Sequence, residues 1–316
     1  MTEGSVRWKG PSMDALHDPV VYAIPAFLVF LVLELISLRV LEEAEAGRYV
    51  GYESRDTRTS LLMGTGSLVV NGSARIVALL GYSALFALTP LRLDTHSWWG
   101  WTLALLLVDL VWYLYHRASH RVRIMWAGHQ AHHNSQRFNY STALRQKWNP
   151  WGELLFWVPL PLLGIPPWLI FTAFSINLIF QFFVHTERIG RLPGPIEFVF
   201  NTPSHHRVHH ASDPEYLDKN YGGILIVWDR LFGSYAEESF RPTYGLTTNI
   251  DSFNPFRLQY HEYAAIFRDV RASRSWRERV GFLFAPPGWH PERTVSVERE
   301  VAAVAPVQDG RPGSVA

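Results

Sequence analysis

Ten of the fourteen histidines in this 316-residue chain fall between residues 116 and 210. Their spacing is that of metal ligands: His116-x3-His120, His129-x2-His132-His133 and His206-x2-His209-His210, with His185 and His205 beside them. Neutral imidazole is the commonest nitrogen ligand for metals. Residues i, i+3 and i+4 share a helix face, so each motif is expected to aim its two or three imidazoles at one point. His116, His120, His129, His132, His133, His185, His206, His209 and His210 are more donors than one ion can use, which points to two metals. An all-nitrogen shell suits iron, zinc or copper. The chain has no cysteine, so thiolate zinc and iron–sulfur sites are excluded. The carboxylate di-iron bundles of soluble enzymes use Glu-x-x-His, and none stands in the 116–210 window. His17, His96, His261 and His290 lack the spacing and read as ordinary polar residues.

The elements that must carry these residues look like membrane helices. Hydrophobic residues make up 48% of the chain and aromatics 14%, with thirteen tryptophans, as in membrane enzymes with interfacial aromatic belts. Residues 20–38 are apolar except Glu34 and long enough to span a bilayer. The residues before Val20 lack a signal-peptide cleavage pattern, so this run is expected to be retained. Residues 61–89 form a second apolar stretch, interrupted at Asn71-Gly72-Ser73 and Arg75; it is one long tilted helix or a broken pair. Residues 98–115 make a third span with a Trp-rich start. The block 154–185 contains Pro159, Pro161, Pro166 and Pro167, and proline breaks helices, so a hairpin of helices at about 154–164 and 167–185 is expected. The fold class is therefore all-α: a polytopic membrane bundle of about four to five spans with a cytosolic histidine-rich di-metal module. It forms a single domain over 1–300, with the histidine-rich core at about 98–240, and residues 301–316 read as a disordered tail.

Arginines set the orientation. Arg39, Arg48, Arg55 and Arg58 lie in or beside the loop 39–59, against Arg92 alone in the loop 90–97. The positive-inside rule puts the first loop in the cytoplasm, so the third span delivers His116 at the cytoplasmic face. All the histidine motifs then meet on one side, beside a lateral route for lipid. Within 257–284, Arg268, Arg271, Arg274, Arg277 and Arg279 interleave with Ile266, Phe267, Val270, Trp276 and Val280. That pattern suggests a basic amphipathic helix on the headgroups. A formal net charge of +1 gives no sign of a nucleic-acid partner.

Metal-binding histidines usually donate their second N–H to a carboxylate or carbonyl. Asp109, seven residues before His116 on the same helical face, is the candidate acceptor, with a plain helix-packing hydrogen bond as the alternative. Tyr113 between them suits either role. Gln181 is i, i+4 to His185, and Glu187 follows closely enough to accept from a ligand.

The strings DLVWYLYHRASH, HQAHHNS and SHHRVHH together resemble the fatty acid hydroxylase/sterol desaturase superfamily of membrane non-haem di-iron oxygenases. The longer NTPSHHRVHHASDPEYLDKNYGGILIVWDRLFGSY, with FVHTE and PPGWHP, resembles its alkylglycerol monooxygenase branch. The resemblance spans roughly residues 20–290. It implies O2-dependent oxidation of a lipid C–H bond at two irons, fatty acyl, ether-lipid and sterol-like molecules being the substrate classes. The eight motif histidines match the family's set position by position, and His185 matches a further family histidine. Some members carry His-x3-His there, where this chain has Gln181. The resemblance gives His205 and Asn220 supporting places beside the metals. It implies a reductant that is tetrahydrobiopterin or a separate electron-transfer partner, since neither a haem motif nor a dinucleotide-binding motif is fused. A bacterial inner-membrane protein with its metal site facing the cytoplasm is expected. Two rivals share these residues: a lipid, sterol or carotenoid desaturase on the same scaffold, and a zinc-dependent membrane hydrolase or non-catalytic metal binder. For the last, nine ligands are excessive.

Overall fold

The computed structural model describes residues 18–40 and 49–291; the expected tail and His17 lie outside them. Thirteen helices follow one another among the described residues: α1 (Pro19–Val40), α2 (Ser54–Leu88), α3 (Trp98–Arg121), α4 (Arg123–His133), α5 (Tyr140–Ala143), α6 (Trp151–Phe156), α7 (Pro159–Leu162), α8 (Pro167–Val184), α9 (Gly194–Val199), α10 (Pro203–His209), α11 (Val227–Phe232), α12 (Pro255–Ala272) and α13 (Trp276–Phe284). They include no strands, only the isolated bridges Phe200–Leu225 and Ala211–Tyr244. Helices α1, α2, α3 and α8 are long and apolar enough to cross a membrane. The most apolar window of α1 is only 17% buried and that of α2 22%. Residues such as Val29, Leu33, Val69 and Leu80 are exposed, as side chains facing lipid would be.

The second apolar stretch is one unbroken helix. It begins at Ser54, capped by the Glu53 carboxylate, which accepts from the backbone N–H groups of Arg55 and Asp56. Asn71 does not interrupt it, because its amide reaches out to the Lys147 carbonyl (3.2 Å). The block 154–185 does turn back on itself, but its first arm is two short helices, α6 and α7, rather than one of 154–164. Pro159 and Pro161 each remove a backbone donor there. The arm reaches the loop after α2, where the Leu93 N–H donates to the Gly164 carbonyl (2.9 Å). The expected single helix over 257–284 is likewise two, broken at Ser273, with the Ser275 side chain capping α13.

Helices α1 and α8 run in the same direction: Phe27 stacks on Phe182, and further along Glu34 accepts from Thr186. The core lies among α2, α3, α7 and α8, around Trp112, Trp157, Leu169 and Phe174. Its consequence is positional. The C-terminal ends of α3 and α8 come together with α4 and α10, the four helices that bear every motif histidine.

Candidate metal centre

Nine imidazoles converge in two adjoining groups. His116, His120, His129, His133 and His209 form one, and His132, His185, His206 and His210 the other. Within each group the nearest donor atoms all lie within 4.8 Å of one another. All but His132 are buried. The stacked rings of His133 and His210, 4.3 Å apart, join the two groups.

The expectation that each motif aims at one point is corrected by this division. The i, i+4 pairs His116/His120, His129/His133 and His206/His210 each stay together, while the i+3 residues His132 and His209 go to the opposite group. The cause is helical geometry. With 3.6 residues per turn, successive side chains are about 100° apart, so i+3 and i+4 straddle i on opposite sides. A motif placed between two centres therefore feeds both. His185 caps α8 and completes the four-membered group.

Backbone carbonyls hold the rings. The Nδ1 atoms of His116, His132, His185 and His209 donate to the carbonyls of Tyr221 (2.9 Å), Arg145 (3.2 Å), Gln181 (2.6 Å) and Lys219 (3.0 Å). A carbonyl can only accept, so each of these rings presents Nε2 as a lone pair. Burial pushes the pKa of His185 down to about 3 and that of His209 to about 4, and holds His129, His132, His133, His206 and His210 well below the ordinary imidazole value. The rings are thus neutral donors. His120 Nε2, His206 Nδ1, His209 Nε2 and His210 Nε2 are buried without any hydrogen-bond partner. Nε2 of His132 faces Nε2 of His185 at 3.3 Å, and no proton is left to bridge them. Converging lone pairs and unpartnered buried nitrogens fit metal cations. Two nitrogens at about 2.1 Å from one ion can be up to about 4.2 Å apart, so small side-chain movements would close either group on a metal.

The supporting residues fall differently from the sequence expectation. Asp109 touches no histidine. Its Oδ1 accepts from Asn177 Nδ2 (2.6 Å) and the Ile224 N–H (2.7 Å), and its Oδ2 from the Leu225 N–H (3.1 Å) and Trp228 Nε1 (2.9 Å). It anchors the chain just after Tyr221, whose carbonyl orients His116. Gly223 lies so close to Trp112 and Asn177 that a Cβ would collide with both. Tyr113 bonds Ser234 (2.9 Å) and accepts from Arg117 (2.8 Å), also away from the histidines. Gln181 serves through its backbone carbonyl, and its side-chain amide turns to Asn177. Glu187 accepts from the Val50 N–H (2.8 Å) and Tyr244 OH (3.3 Å), not from a ligand. His205 stands outside both groups; its Nε2 lies 3.0 Å from the Glu197 carboxylate, which also accepts from Ser204. Asn220 has the left-handed φ of 56° that asparagine tolerates. Its amide donates to the His205 and Ala236 carbonyls (3.1 and 2.8 Å), tying this turn to α10.

Two residues were given no role by the sequence. Asp229 accepts from the N–H groups of Tyr221 (2.8 Å) and Gly222 (2.7 Å) and so fixes the same turn. Glu34 accepts from Tyr52 OH, the Tyr140 N–H and Thr186, the residue after His185. A lone acid in an apolar span is itself the signal for such a role.

The fatty acid hydroxylase family model matches residues 101–234, which include all nine converging histidines. The chain is 38% identical over 287 residues to the alkylglycerol monooxygenase of Homo sapiens, an alignment covering 89% of this chain and 62% of the relative. The Xenopus tropicalis alkylglycerol monooxygenase is 37% identical over 284 residues, covering 89% and 61%. The ornithine lipid hydroxylase OlsE of Rhizobium tropici is 27% identical over 189 residues, covering 54% and 55%. The chain thus spans about three fifths of the length of the two alkylglycerol monooxygenases. No solved structure matches.

Proposed function

The chain belongs to the fatty acid hydroxylase superfamily, and from that premise we propose that it is an O2-dependent di-iron membrane monooxygenase that hydroxylates a lipid C–H bond. The observation that carries this is the division of nine neutral imidazoles into two touching groups with their lone pairs turned inward. His116, His120, His129, His133 and His209 would hold one iron, and His132, His185, His206 and His210 the other. Two irons bound there would supply O2 activation and transfer of one oxygen atom to the lipid.

The protein's own residues supply position and dryness. The carbonyls of Tyr221, Arg145, Gln181 and Lys219 fix ring orientation, which preorganises the ligands. Trp112, Trp126, Phe138 and Tyr221 pack on the imidazoles and exclude water. Asp109, Asp229, Asn220 and Glu34 hold the segments that carry the ligands. A substrate already in the bilayer reaches the site laterally between helices. An ether lipid is favoured, because two relatives at 37–38% identity bear the name alkylglycerol monooxygenase. Electrons come from tetrahydrobiopterin or a separate reductase. We assign the protein to a bacterial inner membrane with the histidine-bearing end in the cytoplasm; Arg39 at the end of α1 and the arginines at the start of α2 support that orientation.

The test is metal analysis of anaerobically purified protein together with lipidomics of cells with and without it. Two irons per chain and lipids heavier by one oxygen are expected. One zinc and no iron, with turnover indifferent to O2, would overturn the proposal. A loss of two hydrogens in place of a gain of oxygen would indicate desaturation.

A further inference from the structure

One turn, residues 218–221, serves three rings of the five-histidine group at once. The Tyr221 carbonyl accepts from Nδ1 of His116 (2.9 Å) and the Lys219 carbonyl from Nδ1 of His209 (3.0 Å). The Tyr221 ring packs against His116, His120 and His209, at 6.0, 5.3 and 6.0 Å between centroids. The third ring, His120, is met by a side chain: its Nδ1 faces Oδ1 of Asp218 at 3.9 Å. The other oxygen of that carboxylate accepts from Arg121, the last residue of α3 (2.9 Å). Among the described residues, His120 is the one ring of the nine with a carboxylate this near. The backbone is bent to make the arrangement. Asp218 and Asn220 have φ of 59° and 56° and are the only described residues other than glycine with a positive φ. Such backbone costs energy and persists where its surroundings impose it, commonly at functional sites. Here Asn220 is tied through its amide to the His205 and Ala236 carbonyls and through its N–H to the Ser234 carbonyl (2.9 Å), and Asp229 holds the N–H groups of Tyr221 and Gly222. In the four-histidine group, by contrast, His132 and His185 rest on backbone carbonyls.

We propose that Asp218 is a positioning residue that acts on one metal through His120: its carboxylate receives the Nδ1–H of the metal-bound ring, and its charge makes the metal of the five-histidine group the harder of the two to reduce. The inference rests on the di-iron reading. Nε2 of His120 is buried without a hydrogen-bond partner, so its lone pair is turned into the group and the proton of the neutral ring sits on Nδ1. The 3.9 Å contact is an ion-pair distance, longer than a hydrogen bond. Asp218 is 39% exposed, so its carboxylate has room to turn toward an imidazole polarised by a cation, while Arg121 keeps the outer oxygen in place. A carboxylate behind a metal-bound imidazole fixes the ring and raises its basicity. A more basic ligand passes more electron density to the metal and stabilises its higher oxidation state. The two metals would then differ in potential because one of them has a carboxylate behind a ligand.

Asp218→Asn gives the test, because asparagine keeps the shape of the side chain and tolerates the left-handed φ, so the charge is removed without straining the turn. Asp218→Gly suits the same φ and removes the side chain altogether. Glu215→Gln, at an exposed residue of the same loop, removes an equal charge and is the control. Iron-loaded protein in lipid nanodiscs would be titrated electrochemically without O2, with Mössbauer spectra of isotopically enriched iron, and then challenged with a chelator. In Asp218→Asn one of the two irons should be reduced at a higher potential and change its quadrupole splitting, while the other keeps its wild-type values. The affected iron should also be held on the order of tenfold more weakly against the chelator. Asp218→Gly should shift the same iron in the same direction, and Glu215→Gln should match wild type. The proposal is overturned if Asp218→Asn keeps both potentials and both spectra, if the two irons shift alike, or if Glu215→Gln shifts them as far. Each of those outcomes leaves the di-iron reading standing, whereas a wild type that holds no iron overturns that reading and this proposal together.

Discussion

His132 and His185 turn their Nε2 atoms toward each other across 3.3 Å while the Nδ1 of each is bound to a backbone carbonyl. Two lone pairs at that separation in a buried site are favourable only around a cation. His185→Ala should therefore lower bound metal from two toward one per chain, with the five-histidine group still loaded, and should abolish lipid oxidation. Elemental analysis of the purified variant checks this. Two metals retained in full would show that His185 is not a ligand.

The complementary variant separates the two groups. His209 belongs to the five-membered group although it is three residues from His206 in chain order and one from His210. His209→Ala should spare the metal held by His132, His185, His206 and His210, so the two single variants should each keep about one ion. If His209→Ala instead behaved as a loss from the same centre as His185→Ala, with the double variant no worse than either single one, the division into two groups would be wrong.

Metal removal should destabilise the protein as a whole. Nine imidazoles with converging lone pairs, eight of them buried and several with a ring nitrogen that lacks a hydrogen-bond partner, are an unfavourable arrangement without cations. Metal that binds only the folded state stabilises it by mass action. Chelation followed by thermal unfolding in detergent should lower the Tm by several degrees, and restored iron should recover it. An unchanged Tm would mean that the cluster is satisfied without metal.

Asp109→Asn tests indirect support. Its carboxylate accepts four hydrogen bonds, one from a side-chain amide, two from backbone N–H groups and one from an indole. An asparagine must point an NH2 at one of these pairs of donors. The expected cost is about 1–3 kcal/mol for the donors left unsatisfied. The 221–228 segment should loosen and His116 with it, so activity falls while both metals remain bound. Loss of one metal in Asp109→Asn would instead point to a direct role at the centre.

The converging histidines were legible in the sequence because spacing on a helix is local: His116/His120, His129/His133 and His206/His210 are fixed by one turn of backbone each. Their division between two groups was not, since it depends on where α4 and α10 stand relative to α3 and α8. Asp109 was assigned to the nearest histidine on its own helix, yet three of its four partners lie 115–119 residues further along. No local pattern announces such a contact. The same holds for His205, adjacent in sequence to His206 of the four-histidine group but turned to Glu197 on the preceding helix. The spans were legible from apolar length, while the breaks at Pro159 and Ser273 show that periodicity alone overextends a helix wherever a proline or a capping serine intervenes.

The two helices after the metal module offer the last test. α12 packs on α4, and Arg123 of α4 bonds Glu262 and Asp269 of α12 (2.7 Å each), which fixes its inner face. The outer face carries Phe256, Tyr260 and Phe267 with Arg257, Arg268 and Arg271, and α13 exposes Trp276, Val280 and Phe284. Phe267 is 66% and Trp276 76% exposed, too much apolar surface for side chains that face water. Apolar groups flanked by arginines suit a bilayer surface, where each basic residue near anionic headgroups adds about 1 kcal/mol. Because the chain has no cysteine, single cysteines at positions 267, 276 and, as a control, the exposed Glu215 can be labelled with a fluorophore without background. In liposomes the labels at 267 and 276 should be quenched by lipid-borne nitroxides near the headgroups and shielded from aqueous iodide, more so as anionic lipid rises. The label at 215 should show the reverse. Full iodide access at 267 and 276 would place this face in water and leave its apolar residues for a protein partner.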